Sequence, residues 1–174
     1  MKKEISISLA GMGGQGIVFA TTALAEALFK QGYYVSQLQS YGAEVRGGAV
    51  IGWVVYSESP VECPFTDEFD VLVLLHDIGY KESVKKGLRG KIVIADSDLV
   101  SSPPVEAIKV PMSREAETKG YVGSTSIVAL GLLVAMGYVD DKALEEVLQH
   151  MKRAEINIKA LRLGRELAQF ISVK

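Results

Sequence analysis

The sequence predicts one α/β domain: a mostly parallel sheet flanked by helices, a Rossmann-like glycine turn after the first strand, and a helical C-terminal third. Three observations support this fold class. Short apolar runs typical of buried strands alternate with helical patterns, glycines follow the first run, and strand patterns stop before the last third. At 174 residues the chain suits one hydrophobic core, so residues 1–174 are expected to form a single domain.

The first strand is predicted at 5–10, and Gly11–Gly16 forms a tight turn into a helix over 17–31 that Gly32 ends. Alternation of strands with helices implies right-handed crossovers. Further strands are predicted at 33–39, 49–56, 70–75, 91–95 and 107–110, with a helix at 79–86. The C-terminal helices are predicted at 124–136, from Asp140 or Asp141 to 153, and at 156–171.

Composition excludes several classes of partner. The 19 basic and 21 acidic residues nearly cancel, which gives no reason to expect binding to nucleic acid or to an anionic membrane. The N-terminal residues do not resemble a signal peptide, and the longest apolar stretch, 127–139, is too short to span a bilayer. A cytoplasmic protein is expected. Cys63 is the only cysteine, so the chain cannot by itself hold an iron–sulfur cluster, which normally needs four thiolates.

The segment Gly11-Met12-Gly13-Gly14-Gln15-Gly16 fits the G-x-G-x-x-G pattern directly after a strand and at the start of a helix. In that place the glycines allow close approach of phosphates, and the helix N-terminus offers unpaired N–H groups and a positive dipole end. The same glycines also serve simply to pack a helix against a strand. Both readings of the turn stay open at this point.

A dinucleotide-binding domain also needs an acidic residue at the end of its second strand, to hold the ribose hydroxyls. Gln37 and Gln39 occupy that region here, and Glu44 comes later, inside a glycine-rich loop. His76, beside Asp77 at a strand end, is more often a satisfied structural histidine than an acid or base. An independent NAD(P)- or flavin-binding oxidoreductase is therefore the weaker alternative, and no catalytic or metal-ligating residue is predicted.

The loop after the second strand contains Arg46 followed by two glycines. An arginine fork on a backbone that bends closely suits a phosphate or a carboxylate. Alternatively, Glu44 pairs with Arg46 and the two only pin the loop. Our hypothesis is that the glycine turn and Arg46 form one anion-binding pocket at the carboxyl ends of the parallel strands.

The two glycine segments, Gly11 to Ile17 and Gln39 to Gly48, together resemble the gamma subunits of pyruvate, 2-oxoglutarate and 2-oxoisovalerate ferredoxin oxidoreductases. The resemblance extends to 70–74, 129–131 and 157–164, although the family commonly has Asn at the start of the buried helix, where this chain has Ser124 and Thr125. The candidate cofactor-binding residues are Gly11, Gly13, Gly14, Gln15, Gly16, Tyr41, Glu44, Arg46, Gly47 and Gly48.

The resemblance implies a gamma subunit of a complex that oxidatively decarboxylates a 2-oxoacid, forms an acyl-coenzyme A and passes electrons to ferredoxin. The resemblance places thiamine diphosphate on the alpha and beta subunits and iron–sulfur clusters on the beta or delta subunits. No cofactor is assigned to this chain, and coenzyme A is expected at an interface. 2-Oxoglutarate is slightly favoured over pyruvate or branched-chain substrates. A related indolepyruvate oxidoreductase domain is an alternative.

The isolated chain is expected to be inactive and to form a homodimer, because an apolar face meant for partners is favourably buried even in their absence. Aromatic residues are over-represented at interface cores, so part of that face is sought among them. The candidates are Tyr33, Tyr34, Tyr41, Phe65, Phe69 and Tyr121.

Overall fold

The structure is a computed structural model that describes residues 4–44 and 46–171. Within these ranges, six strands form one sheet in the order β2-β3-β1-β4-β5-β6. The strands are β1 Ile5–Met12, β2 Tyr34–Tyr41, β3 Ala49–Ser57, β4 Glu68–Leu74, β5 Arg89–Asp96 and β6 Ile108–Val110. The helices are α1 Ile17–Lys30, α2 Asp77–Lys85, α3 Met112–Thr118, α4 Thr125–Ala135, α5 Asp141–Gln149 and α6 Ala154–Glu166, followed by a 3₁₀ turn at Leu167–Phe170.

The predicted mostly parallel sheet is confirmed, with one strand reversed. β1, β4, β5 and β6 pair in parallel, whereas β3 is antiparallel to both of its neighbours, β1 and β2. Only residues 42–48 connect β2 to β3, which is too short for the crossover that parallel neighbours require, so the two strands form a hairpin. Because β3 pairs with both β1 and β2, it lies between them. The carboxyl end of β1 lies beside the start of β3.

The two faces of the sheet are covered unequally. The larger core lies on the face that α1 and the C-terminal helices cover. On the opposite face a smaller cluster around Leu72 and Leu74 lies under α2. Gly79 brings α2 against the end of β1, because a Cβ at Gly79 would overlap the backbone at Ala10 and Gly11. α2 is thereby fixed directly behind the glycine turn.

Two glycines set the contact between α4 and α6. A Cβ on Gly131 would overlap the carbonyl oxygen of Leu161, and a Cβ on Gly164 would overlap the carbonyl oxygen of Val128. The two backbones thus approach more closely than helices with side chains at the crossing, which usually pack 8–10 Å apart. This contact determines where the N-terminus of α6 lies relative to the first turn of α4.

The C-terminal third is helical, as predicted, but α3 was missed. Asp96, fully buried at the end of β5, accepts hydrogen bonds from Ser113 N at 2.7 Å and Ser113 Oγ at 2.8 Å, which holds the first turn of α3. The partner lies 17 residues earlier in the chain, so local patterns do not reveal it. The helices α5 and α6 also end earlier than predicted, at Gln149 and Glu166. In the described ranges, no helix combines the length and apolarity needed to cross a membrane.

Candidate functional site

The glycine turn follows β1 directly and ends where α1 begins. Gly14 and Gly16 have φ angles of 96° and 73°, in the left-handed region that side chains other than glycine rarely adopt. Gly16 is the N-cap of α1, and no side chain among the residues that the structure describes caps this helix end. The first-turn N–H groups of α1 therefore face the turn, as the anion-binding hypothesis requires.

Gln15 braces the turn from inside. Its side-chain Oε1 accepts a hydrogen bond from Met12 N at 2.7 Å, and its Nε2 donates to the carbonyl oxygen of Leu75 at 3.2 Å. Gly11 leaves room for this side chain, since a Cβ at Gly11 would lie 2.5 Å from Gln15 Oε1. Gly11 and Gln15 therefore shape the turn and tie it to the end of β4.

The loop that carries Arg46 lies against the glycine turn. Gly13 N donates a hydrogen bond to the carbonyl oxygen of Gly48 at 2.8 Å, one residue beyond the pairing of Met12 with Ala49. At the base of the loop, Gly42 N donates to the carbonyl oxygen of Ala49, also at 2.8 Å. The glycine turn and the Arg46 loop are thus held together at the carboxyl end of β1, by a backbone hydrogen bond that continues the β1–β3 ladder.

Glu44 and Arg46 are both exposed in this loop. Within the described residues they form no ion pair with each other. Instead the Glu44 side chain folds back over the loop, and its Oε2 lies 2.6 Å and 2.8 Å from the positions where Gly42 and Gly48 would carry a Cβ. The arginine head group is therefore not held by the neighbouring carboxylate, and the glycines on either side of the loop make room for Glu44.

An open depression of about 360 Å³, the turn pocket, lies over the glycine turn. Tyr41 and Phe19 give it aromatic walls, while Gly13 and Gly14 present backbone on its floor. Its lining is Met12, Gly13, Gly14, Gly16, Ile17, Val18, Phe19, Tyr41 and Val50. The turn pocket thus combines apolar surface with the polar end of a helix.

A second depression of about 240 Å³, the basic pocket, shares Gly14, Gly16 and Phe19 with the turn pocket. It lies where the first turns of α1, α4 and α6 converge, and the exposed Lys152 and Arg153 are part of its wall. The full lining is Gly14, Gly16, Phe19, Gly123, Ser126, Ile127, Lys152, Arg153 and Asn157.

Sequence reasoning missed Lys152 and Arg153, which lie more than 130 residues after the glycine turn. Arg153 has a φ angle of 60°, an uncommon value for a residue other than glycine, and its Nη2 donates to the carbonyl oxygen of Val122 at 2.9 Å. Asn157 is buried and lies in the 157–164 segment that carries the family resemblance. Its Nδ2 donates a hydrogen bond to the carbonyl oxygen of Lys152 at 2.8 Å. The Asn157 amide therefore positions the segment that bears the two cations.

Ser124 occupies the N-cap of α4, where the resemblance leads us to expect Asn. It is 1% exposed, and its Oγ has no hydrogen-bond partner among the described residues. The neighbouring Thr125 is also buried. The replacement therefore leaves a buried hydroxyl group near the basic pocket without a protein partner, whereas buried hydroxyl groups are normally paired.

His76 and Asp77 lie at the end of β4, where they hold the start of α2. His76 Nδ1 accepts a hydrogen bond from Ile78 N at 3.1 Å, so its ring caps the helix. Asp77 accepts from Ser101 Oγ at 2.8 Å, and this hydrogen bond lowers the pKa of the Asp77 carboxyl group. His76 therefore has the structural role that the sequence favours.

The fold and the glycine turn are those of one class of protein. This is an α/β protein whose first helix begins at a glycine turn at the carboxyl ends of its parallel strands. The family described as pyruvate ferredoxin/flavodoxin oxidoreductase matches residues 6–167. The 2-oxoglutarate synthase subunit KorC of Archaeoglobus fulgidus is 34% identical over 99% of this chain and 92% of the relative. The chain therefore belongs to this family, as a gamma-type subunit of a 2-oxoacid:ferredoxin oxidoreductase.

Solved structures agree with this assignment. The gamma subunit of a keto/oxoacid ferredoxin oxidoreductase from Geobacter sulfurreducens is 31% identical, with a TM-score of 0.77 and coverage of 95% of this chain and 98% of that one. The 2-oxoglutarate:ferredoxin oxidoreductase of Magnetococcus marinus, with 2-oxoglutarate, coenzyme A and succinyl-CoA bound, is 27% identical with a TM-score of 0.84. The match covers 97% of this chain and 32% of that longer chain.

Proposed function

We propose that this chain is the coenzyme A-side subunit of a complex that converts a 2-oxoacid to an acyl-coenzyme A and passes electrons to ferredoxin. 2-Oxoglutarate is the favoured substrate, because the relative from Archaeoglobus fulgidus is a 2-oxoglutarate synthase subunit and aligns over nearly its whole length. The Magnetococcus marinus enzyme, with 2-oxoglutarate, coenzyme A and succinyl-CoA bound, supports 2-oxoglutarate as the substrate and coenzyme A as the ligand.

The observation that carries the proposal is the hydrogen bond between Gly13 and Gly48, which joins the glycine turn to the arginine-bearing loop. Coenzyme A carries several phosphate charges on a nucleotide and ends in a long, uncharged pantetheine arm. The phosphates require N–H groups and cations: the α1 N-terminus and Lys152 line the pockets at the turn, and Arg46 lies on the loop bonded to it. The pantetheine arm requires an uncharged wall, which Phe19 and Tyr41 supply.

The chain's own role in the reaction is to bind and orient. Its phosphate contacts would hold the nucleotide end of coenzyme A, so that the thiol reaches the acyl group on a neighbouring subunit with little loss of freedom at the reacting step. We assign thiamine diphosphate to the alpha and beta subunits, and the iron–sulfur clusters to the beta or delta subunits. The chain has one cysteine, too few for a cluster of its own.

Sheet order weighs against independent dinucleotide binding. In that class of fold the second strand pairs directly with the first and ends in the acid that binds ribose. Here β3 lies between them, and the Gln37 side chain on β2 donates hydrogen bonds to Thr21 and Thr22 of α1 at 3.1 Å and 2.9 Å. The residue at the expected ribose position is therefore engaged with the helix.

Calorimetric titration of coenzyme A into the complex, reconstituted with its alpha and beta subunits, tests the proposal. Arg46→Ala should weaken binding roughly tenfold or more, since a charge-assisted phosphate contact contributes about 1.5–3 kcal/mol. Arg89→Ala is the matched control, because Arg89 is exposed at the opposite, amino end of β5. Equal affinities for the wild-type, Arg46→Ala and Arg89→Ala complexes would contradict the binding role.

Lys152→Ala tests the basic pocket in the same titration, with the exposed Lys142→Ala as its control. A loss of affinity restricted to Lys152→Ala assigns phosphate contact to this pocket as well. The substrate is tested separately by following coenzyme A-dependent ferredoxin reduction with 2-oxoglutarate, pyruvate or 2-oxoisovalerate. A clear preference for either of the other acids would overturn the choice of 2-oxoglutarate.

A further inference from the structure

The outer edge of the sheet at β2 is long and carries no charge. Its eight residues are Tyr-Val-Ser-Gln-Leu-Gln-Ser-Tyr, and the chain around them is uncharged from Gly32 to Ala43. Natural proteins usually protect such edges with lysines, prolines or bulges, because an unpaired strand edge recruits further strands. The edge at the other end of the sheet, β6, has only three residues.

The hydrogen-bonding direction of each β2 residue follows from its pairing with β3. Gly42 N bonds to the carbonyl oxygen of Ala49, so even-numbered residues of β2 direct their N–H and C=O groups toward β3. The odd-numbered residues direct theirs outward. These are Val35, Gln37, Gln39 and Tyr41, and within the described part of the chain no hydrogen bond uses their outward backbone groups.

The sequence of this edge is nearly symmetric about Leu38, with Gln37 and Gln39 on either side and then Ser36 and Ser40. An isologous contact around a two-fold axis requires a surface that is complementary to itself. Two copies of β2 placed antiparallel about Leu38 meet this requirement in both side chains and backbone. Gln37 of one copy lies opposite Gln39 of the other, and each such pair exchanges two hydrogen bonds.

We propose that β2 pairs with β2 of a second copy of this chain, antiparallel and centred on Leu38, so that two sheets join into one. Tyr41 then lies opposite Val35 of the second copy, on the face that carries α1. Phe29 of α1, which is 71% exposed, lies on the same side of the helix as Thr22, whose Oγ1 contacts the β2 side chain of Gln37. Pairing therefore also covers apolar surface that flanks the strand.

Sedimentation of the purified full chain over a roughly hundredfold concentration range, spanning micromolar dissociation constants, tests the pairing first. Leu38→Lys should raise the dimer dissociation constant at least roughly tenfold, because two like charges meet at the axis. Val105→Lys makes the same change at a fully exposed loop position and should leave the dimer intact. A wild-type chain that stays monomeric, or a Leu38→Lys chain that dimerises as tightly as wild type, overturns the proposal.

Cysteine cross-linking tests the register independently of the lysine variant. In a Cys63→Ser background, Leu38→Cys should form a disulfide-linked dimer on mild oxidation, since non-hydrogen-bonded antiparallel pairs bring Cα atoms to about 4.5 Å. Ser36→Cys mixed with Ser40→Cys should cross-link to each other, whereas each alone should not. A dimer that fails to link through Leu38→Cys has another interface.

Hydrogen exchange separates self-pairing from pairing with a different subunit. The outward amides of Val35, Gln37, Gln39 and Tyr41 should gain protection as the concentration of the isolated chain rises, whereas those of Ser36, Leu38 and Ser40 are protected throughout. Protection that appears only when alpha or beta subunits are added would assign this edge to a heteromeric contact and overturn self-pairing. Coenzyme A affinity is measured separately, so either result leaves the proposed function to its own test.

Discussion

Gly13 and Gly48 are joined by a 2.8 Å hydrogen bond from the amide of the first to the carbonyl oxygen of the second. This bond extends the antiparallel ladder of β1 and β3 beyond the regular strands. It fixes the distance between a turn that follows β1 and a loop that precedes β3. The candidate pocket is therefore supported by the hydrogen-bonded ends of β1 and β3, which are more rigid than two independent loops.

Gly14→Ala should separate backbone strain from ligand contact. Gly14 has a φ angle of 96° with open space around it, so alanine adds strain of about 1–2 kcal/mol without a clash. Gly87→Ala, at a φ angle of 72° and also with open space, introduces similar strain after α2. Urea unfolding should show comparable losses, while calorimetry with the complex should show weaker coenzyme A binding only for Gly14→Ala. Equal affinities would mean that the turn does not contact the ligand.

Gln15→Ala should destabilise the fold by about 1–3 kcal/mol, because Met12 N and the Leu75 carbonyl oxygen both lose a partner inside the structure. Urea unfolding of the isolated chain measures this loss. Gln149→Ala, at an exposed position of α5, is the matched control and should change stability little. If the two variants unfold at the same urea concentration, the brace contributes nothing to stability.

Gly131→Ala should lower the free energy of unfolding by about 1–3 kcal/mol. The added methyl group would be forced against the Leu161 carbonyl oxygen, so α4 and α6 would have to separate. Gly137→Ala is the control, because it adds a methyl group in open space at a φ angle of 81° and costs only backbone strain. The urea midpoint should fall further for Gly131→Ala. A midpoint no lower than that of Gly137→Ala would show that the crossing tolerates a side chain.

Asp70 should contribute stability that is lost in acid. Burial opposes its ionisation, but hydrogen bonds from Lys91 Nζ and Ser6 N, both at 2.9 Å, outweigh burial and hold the pKa of its carboxyl group below the usual 3.8. A folded-state pKa below the unfolded value means that this contribution is present above the unfolded pKa. It disappears as pH falls through the folded one.

Asp70→Asn should therefore lower the free energy of unfolding near neutral pH by about 1 kcal/mol, a figure discounted for the exposure of Lys91. The difference from wild type should shrink as pH falls below 3.8, the ordinary carboxyl value. Denaturant unfolding at several pH values measures it. Asp67→Asn serves as the control, because the Asp67 side chain is 70% exposed. A difference that stays constant down to the lowest pH would contradict the role of the ionised carboxylate.

Sequence alone determined the features whose physical causes are local. Apolar runs marked the strands, and the glycines at 11–16 predicted the turn, because left-handed backbone and close packing both favour residues without a side chain. The sequence also predicts that this turn lies near the loop around Arg46. The turn follows the first strand and the loop follows the second, and the carboxyl ends of parallel strands lie on the same side of a sheet. Nothing in that reasoning required knowledge of strand order.

Tertiary structure decided what depends on distant contacts. Only the folded structure inserts β3 between β1 and β2 and engages Gln15 with Leu75. It also places Gly14 and Lys152 in the lining of one pocket. Each of these joins segments far apart in the chain. Their formation depends on how whole elements pack, because a short stretch of sequence specifies its own backbone preferences but not the partner against which it is buried.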